Sequence, residues 1–374
     1  MTATKMTATK MTTISMRQGL AISAALMFTV APALGQSTTP VAEKGYTLSV
    51  FAKGVAGKYT KPDSIAVFEN HVYIAYGNGN DPAGADGKSN MVIEYTREGR
   101  PVYSFSVKGH NDGLKVNPYT NKLWVMQNED ANPSLVIFDP ETRERKQYTF
   151  AQAPSAGGGY DDIVFRNGKT YLSASNPAHD PNTSASIVEA RLEGSQVIVT
   201  PVFNGNSSAT NVLTGLPVKL NLQDPDSMTV SPGGDLVLDS QGDSELVVVR
   251  KPGTKQQSAL QIPLSSPFGL PQVDDTLFTP SSDGFLLVTD TGANTTYKIT
   301  KATFAPGVAY SAGVAGTTTA AGFVGRLDLE FGQLTPIVSG MNSPHGLAFV
   351  KTNNDDDSLR EQLKDACQAF FPNQ

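Results

Sequence analysis

Between residues 45 and 352, apolar and polar residues alternate over short stretches, each closed by Gly, Asn, Asp or Pro. YTLSVFAK, HVYIAY, MVIEYT, PVYSFSVK, KLWVMQ, SLVIF, ELVVVR and FLLVTD carry this pattern. A period of two bounded by turn residues predicts β-strands, and Asn-Gly, Gly-Gly, Asp-Gly and Asn-Pro at the connections suit tight turns. The strands fall into groups of four. Six segments open alike: KPDSIAV, HNDGLKV, YDDIVF, DPDSMTV, VDDTLFT and SPHGLAFV. Taken at Asp63, Asp112, Asp162, Asp226, Asp275 and His345, they are spaced 49, 50, 64, 49 and 70 residues apart. A period near 50 built of short strands predicts an all-β fold, a β-propeller of six blades, with seven as the alternative. YTLSVFAKG stands one strand ahead of the first repeat, which predicts closure by N- and C-terminal strands sharing a blade. Strand order near residues 300–350 is not legible from the pattern.

Residues 1–35 read as a signal peptide: Lys5, Lys10 and Arg17, an apolar core from Gly19 to Val30, then APALG. A membrane anchor or a plain leader is the other reading. Residues 36–44 read as a linker, 45–352 as the propeller, and 353–374 as a tail with a short helix capped at Asp357 or Ser358 and carrying Leu359, Leu363, Ala366 and Phe370. The leader predicts a secreted or periplasmic protein. The 374 residues carry 35 acids against 29 lysines and arginines, a net charge of −6, with no basic cluster for nucleic acid. Beyond the leader, no apolar stretch is long enough for a transmembrane helix. Cys367 is the only cysteine, so no intramolecular disulfide forms. No CxxC, HExxH, P-loop or GxSxG occurs. The expected partner is a small molecule.

In a propeller, equivalent positions converge on one axis. Five aspartates at one channel mouth would repel one another, and a bound cation resolves that; oxygen ligands favour a hard ion, Ca²⁺ before Mg²⁺. The opposing reading makes each aspartate a fastener that bonds backbone N–H groups of its own turn. Asn111, Asp161 and Asp224 add ligand capacity. His345 takes a ring position and is a candidate general base, or a residue that merely closes the last blade. His110 reaches toward the mouth, and Tyr160 is either a mouth aromatic or core. His179 reads as solvated and Trp124 as packing between blades. The loop 77–90 is a possible second Ca²⁺ site through Asp81 and Asp86.

Several segments resemble known families. LLVTDTGANTTYKI (286–299) is similar to an NHL repeat, whose blades end in a like turn. HNDG (110–113) resembles the NDG segment of the senescence-marker-protein-30/gluconolactonase family. YDDIV (160–164) and PHGL (344–347) resemble the NDI and PHG segments of paraoxonase-like lactonases. The resemblance spans about residues 60–350, in motifs of three to five residues, and implies a six-bladed propeller with a divalent ion at the mouth. It implies Asp63, Asn111, Asp162 and Asp226 as metal ligands; with the ring positions this gives His345 and Asp226 as candidate catalytic residues, and the mouth positions give His110, Asn111 and Tyr160 as candidate substrate contacts. It departs from the family at Asp63, where a glutamate is expected. The implied function is metal-dependent hydrolysis of a lactone or related ester. The alternatives are a non-catalytic NHL-like binding or scaffold propeller and a metal-dependent lyase.

Overall fold

The computed structural model describes residues 39–316 and 321–352. The leader and the proposed C-terminal helix lie outside the described residues. The described chain is all β, in 27 strands. β1 (Val41–Ala42) and β2 (Tyr46–Lys53) precede β3 (Pro62–Phe68), β4 (His71–Tyr76), β5 (Ser89–Thr96) and β6 (Pro101–Lys108). Next come β7 (Leu114–Asn117), β8 (Lys122–Gln127), β9 (Ser134–Phe138) and β10 (Arg145–Phe150), then β11 (Ile163–Arg166), β12 (Lys169–Ser173), β13 (Ala185–Glu193) and β14 (Gln196–Asn204). β15 (Ser208–Asn211) and β16 (Pro217–Lys219) form a hairpin before β17 (Pro225–Val230), β18 (Leu236–Ser240), β19 (Glu245–Arg250) and β20 (Ser258–Pro263). The last are β21 (Pro271–Phe278), β22 (Gly284–Asp290), β23 (Thr295–Lys301), β24 (Ala309–Ala315), β25 (Gly322–Asp328), β26 (Gln333–Met341) and β27 (Pro344–Lys351).

These strands pair as six antiparallel runs of four: β3 to β6, β7 to β10, β11 to β14, β17 to β20, β21-β24-β25-β26 and β27-β22-β23-β2. The second and third merge into one eight-stranded sheet through a parallel contact of Thr149 and Phe150 with Gln196 and Val197. The first strands of the runs touch in sequence. β3 contacts β7, β7 contacts β11, β11 contacts β17, β17 contacts β21, β21 contacts β27, and β27 contacts β3. The ring therefore closes.

Six hydrophobic clusters hold it, one between each pair of neighbouring runs. β4 shows how. Val72, Ile74 and Tyr76 face the sixth run, while Tyr73 and Ala75 face the second. Both faces of a middle strand are thus buried, which is why these strands read as nearly continuous apolar sequence. Trp124 packs across the second and third runs, edge-on to Phe165 at 5.2 Å, as its mid-strand position suggests.

The N-terminal strand closes the ring as expected: β2 forms the outer edge of the run whose innermost strand is β27. Val41 and Ala42, within residues 36–44, pair with Ser339 and Val338 on the fifth run. The illegible stretch near residue 300 has a topological cause. β21 is the inner strand of the fifth run, but the hairpin β22–β23 that follows it belongs to the sixth, and β24 to β26 return to the fifth. The last two runs are interlaced.

Close approach at the axis needs glycine at two equivalent positions. A Cβ on Gly113 would collide with the Asp161 carbonyl oxygen, and one on Gly346 would sit 2.6 Å from the Asp63 carbonyl oxygen. Gly113→Ala and Gly346→Ala should each destabilise by about 2–4 kcal/mol, because backbone has to shift. Gly233→Ala, which meets only Ser231 Oγ at 3.7 Å, is the control and should stay within about 0.5 kcal/mol. Denaturant midpoints check this, and equal effects at all three sites would refute the packing argument.

Candidate functional site

The inner strands β3, β7, β11, β17, β21 and β27 all start at the same end of the ring. One level of the channel is lined by Ala66, Lys115, Val164, Thr229, Leu277 and Ala348, one from each strand. Three residues earlier stand Asp63, Asp112, Asp161, Asp226, Asp274 and His345. This register corrects the sequence reading in two runs. Asp161 and Asp274 hold the mouth positions, and Asp162 and Asp275 lie one residue deeper. Doubled acids hide the offset, since either member of Asp161-Asp162 or Asp274-Asp275 fits the repeat.

The deeper pair acts as fasteners. Asp162 Oδ2 accepts the Met228 N–H at 3.0 Å and pairs with Lys115 Nζ at 3.1 Å. Asp275 Oδ2 accepts the Leu347 N–H at 2.7 Å. Each carboxylate thus ties its run to the inner strand of the next, a fastener between runs and not within its own turn as the fastener reading had it. Asp162, expected as a metal ligand, has its Oδ2 committed to backbone and lysine.

At the mouth the acids lack such partners. Asp63, Asp161, Asp226 and Asp274 are buried, and Asn111 is fully so. Asn111 Nδ2 donates to the carbonyls of Met126 at 2.6 Å and Gly113 at 3.1 Å, which fixes the amide, but its Oδ1 has no partner. Asp161 Oδ1 is likewise buried and unpartnered. Two buried acceptors without donors are costly and call for an explanation. Next to them, Glu129 sits on the loop after β8, a residue that no repeat position marks. Its backbone carbonyl accepts from Ser175 Oγ at 2.6 Å. His110 Nδ1 lies 3.0 Å from both carboxylate oxygens of Glu129, and His110, Asp112 and Glu129 bring ligand atoms within 4.8 Å of one another. Across the mouth, His345 Nδ1 is 2.9 Å from Asp274 Oδ1 and 3.7 Å from Asp63 Oδ1, and its Nε2 meets Ser343 Oγ at 2.9 Å.

The electrostatics follow from this crowding. Burial, added to repulsion among the acids, pushes Asp112, Asp161 and Asp226 well above the carboxylate range. Burial raises Asp63 to about 6, against a lowering by His345. Burial opposes charge on His345, but Asp274 and Asp63 outweigh it and hold the imidazolium up at about 10. This favours the charged form of His345, which suits proton donation, whereas the base role expected of it uses the neutral form. Burial also opposes charge on His110, and Glu129 reverses this.

Other expected residues are placed elsewhere. Tyr160 is 1% exposed and stacks on Phe150 at 4.7 Å, so its ring belongs to the core and offers no face to a ligand. His179 is exposed. Asp81 and Asp86 accept backbone N–H groups of their own loop, and Asp86 also pairs with Lys88, so those carboxylates organise the turn. No described helix is long and apolar enough to cross a membrane.

No family model matches the sequence, and no curated protein matches it. Similar solved structures include a streptogramin B lyase, 14% identical, TM-score 0.42, over 76% of this chain and 73% of that one. Virginiamycin B lyase from Staphylococcus aureus is 13% identical, TM-score 0.44, over 82% of both chains. A putative gluconolactonase is 10% identical, TM-score 0.45, over 83% of this chain and 90% of that one. With TM-scores this low, the site has to be read from its own residues.

The raised acids give a pH prediction. A carboxyl that holds its proton more tightly folded than unfolded contributes stability fully present below its unfolded value of about 4 and lost as pH rises through its folded value. For Asp63 and Asp275 those folded values are about 6 and about 7. His345, raised from 6.5 to about 10, changes stability in the same direction at higher pH. In EDTA, the melting temperature should fall steadily from about pH 5 to about pH 8. Calorimetry checks this; a rising or flat profile would contradict the acid crowding.

Proposed function

We propose that the six runs are the blades of a six-bladed propeller, and that its acidic mouth binds one hard divalent cation, Ca²⁺ before Mg²⁺, to hydrolyse a lactone or related ester. The observation that carries the reading is the pair of unpartnered buried oxygens, Asn111 Oδ1 and Asp161 Oδ1, among carboxyls with no lysine or arginine pairing in the described residues. An all-oxygen donor set in a repelling cluster fits such an ion. Asn111, Asp112, Asp161 and Asp226 would hold it. They differ from the expected set in two members, Asp161 for Asp162 and Asp112 for Asp63, and Asp63 serves the His345 side. When bound, the ion supplies polarisation of a carbonyl and a more acidic water.

The chain's own residues divide the remaining work. Glu129 fixes the His110 tautomer by accepting from Nδ1, which leaves Nε2 to take a proton and stabilises the resulting imidazolium. His345, held charged by Asp274 and Asp63, donates a proton to the departing oxygen. Buried walls keep bulk water from competing with these bonds.

A second reading, elimination by a lyase, is favoured by the same two histidines, each held by a carboxylate at one mouth. Water enriched in ¹⁸O separates the two, because hydrolysis puts the label in the product and elimination does not. Export remains part of the proposal through residues 1–35, and suits a Ca²⁺-rich compartment.

The test begins with metal content, one ion per chain, and a melting-temperature rise on adding Ca²⁺. Asp226→Asn should raise the melting temperature in EDTA by removing one repelling carboxyl, yet abolish the Ca²⁺-induced rise. His110→Ala should keep that rise while turnover drops about 10²–10⁴-fold. An unchanged Ca²⁺ response in Asp226→Asn and Asp161→Asn together would sink the cation assignment.

A further inference from the structure

The channel has a second end of opposite character. One residue beyond the level of Lys115, each inner strand presents an apolar side chain: Val67, Val116, Phe165, Val230, Phe278 and Phe349. All six are half-buried, each packing partly on the core between two runs and partly lining an open cavity of about 410 Å³. That volume lies in the range of small-molecule sites. The inner edges of these six strands have no strand neighbour and face the axis, so backbone groups interrupt the apolar wall, among them the Met228 and Leu347 N–H groups that Asp162 and Asp275 accept.

Lys115 is the one charged residue lining this cavity. Its side chain is 29% exposed although it stands inside the ring, so its surface is reached through the channel. The ammonium already bonds Asp162, and Asp275 and Asp239 act on it from two further runs. An anionic head approaching Lys115 would meet these three carboxyls, and a cationic one would meet the ammonium. A neutral acceptor meets neither objection and can use an N–H that Asp162 leaves over.

We infer that this second mouth is a binding site for an uncharged small molecule with an apolar body and a carbonyl or hydroxyl oxygen that accepts a hydrogen bond from Lys115. The site is separated from the acidic mouth by the layer of Asp162 and Asp275, and the inference does not depend on a cation there.

The probe is the neutral fluorescent ketone prodan, titrated into the full chain, with anionic anilinonaphthalene sulfonate as the contrast. Prodan should bind saturably and the sulfonate should neither bind nor displace it. Val116→Phe and Thr229→Phe enlarge half-buried lining residues on two different strands and should each weaken prodan at least roughly tenfold. Two variants guard against one failing to fold. Lys115→Met should keep prodan in place but shift its emission to the blue, since the ketone loses its donor. Absence of saturable binding, indifference to both filling variants, or equal affinity for the sulfonate would overturn the site. A gain in prodan affinity on replacing Phe370 and Phe371 by Ser would also overturn it, by showing that the chain's own tail is the occupant.

Discussion

Two-sided burial is the constraint on which the rest depends. Each four-stranded run has apolar side chains on both faces, and no run can satisfy both without a neighbour on each side. The six inter-run clusters are of similar make, from Tyr73 and Phe138 in one to Val288 and Tyr310 in another. Burial at about 25 cal/mol per Å² makes an open array unfavourable, because its end runs would leave one such face to water. Closure follows, and closure brings the starts of six strands to one mouth and their ends to the other. The site is a consequence of packing before it is a matter of chemistry.

Bringing six strand starts together concentrates whatever they carry. Here they carry acids, and the fold deals with them in two ways. One residue inside the mouth, Asp162 and Asp275 accept N–H groups of the next run, and Gly113 and Gly346 let backbones pass where a side chain cannot. These are local solutions that strengthen the ring. At the mouth itself Asp274 and Glu129 are met by histidines, while Asp161 keeps a buried oxygen without a partner. A position that gains nothing from the fold and costs electrostatic energy is where function is expected to be stored.

The ring, its all-β character and closure through the first strand were legible because they rest on local pattern and a period near 50. The run assignment of β21 to β26 was not, because pairing is non-local: nothing in GFLLVTD says that it will lie beside PHGLAFV and not beside the adjacent DTLFT. Among site residues, Asp63, Asp112, Asp226 and His345 were readable by position. Asp161 and Asp274 were each hidden by an acidic neighbour, and counting back four residues from the apolar Val67, Val116, Phe165, Val230, Phe278 and Phe349 chooses them. Glu129 had no repeat to mark it; the only sign was an acid two residues after a strand end on the run that follows His110. Tyr160 misled because an aromatic beside Asp161 can turn either to the axis or to Phe150, and packing against Phe150 decides it.

The channel is therefore amphipathic along its length, and the polarity runs with strand direction. Residues three before the Lys115 level are acidic or histidine, and residues one after it are apolar. A single residue of slip in any inner strand would move a carboxyl toward the apolar end and exchange which neighbour each side chain packs against. Register and chemistry are fixed by the same interactions. Asp162 illustrates this, since its bonds to Met228 and Lys115 join the third run to both of its neighbours and mark the boundary between the two halves of the channel. A substitution there would couple the two mouths that the intact layer keeps apart.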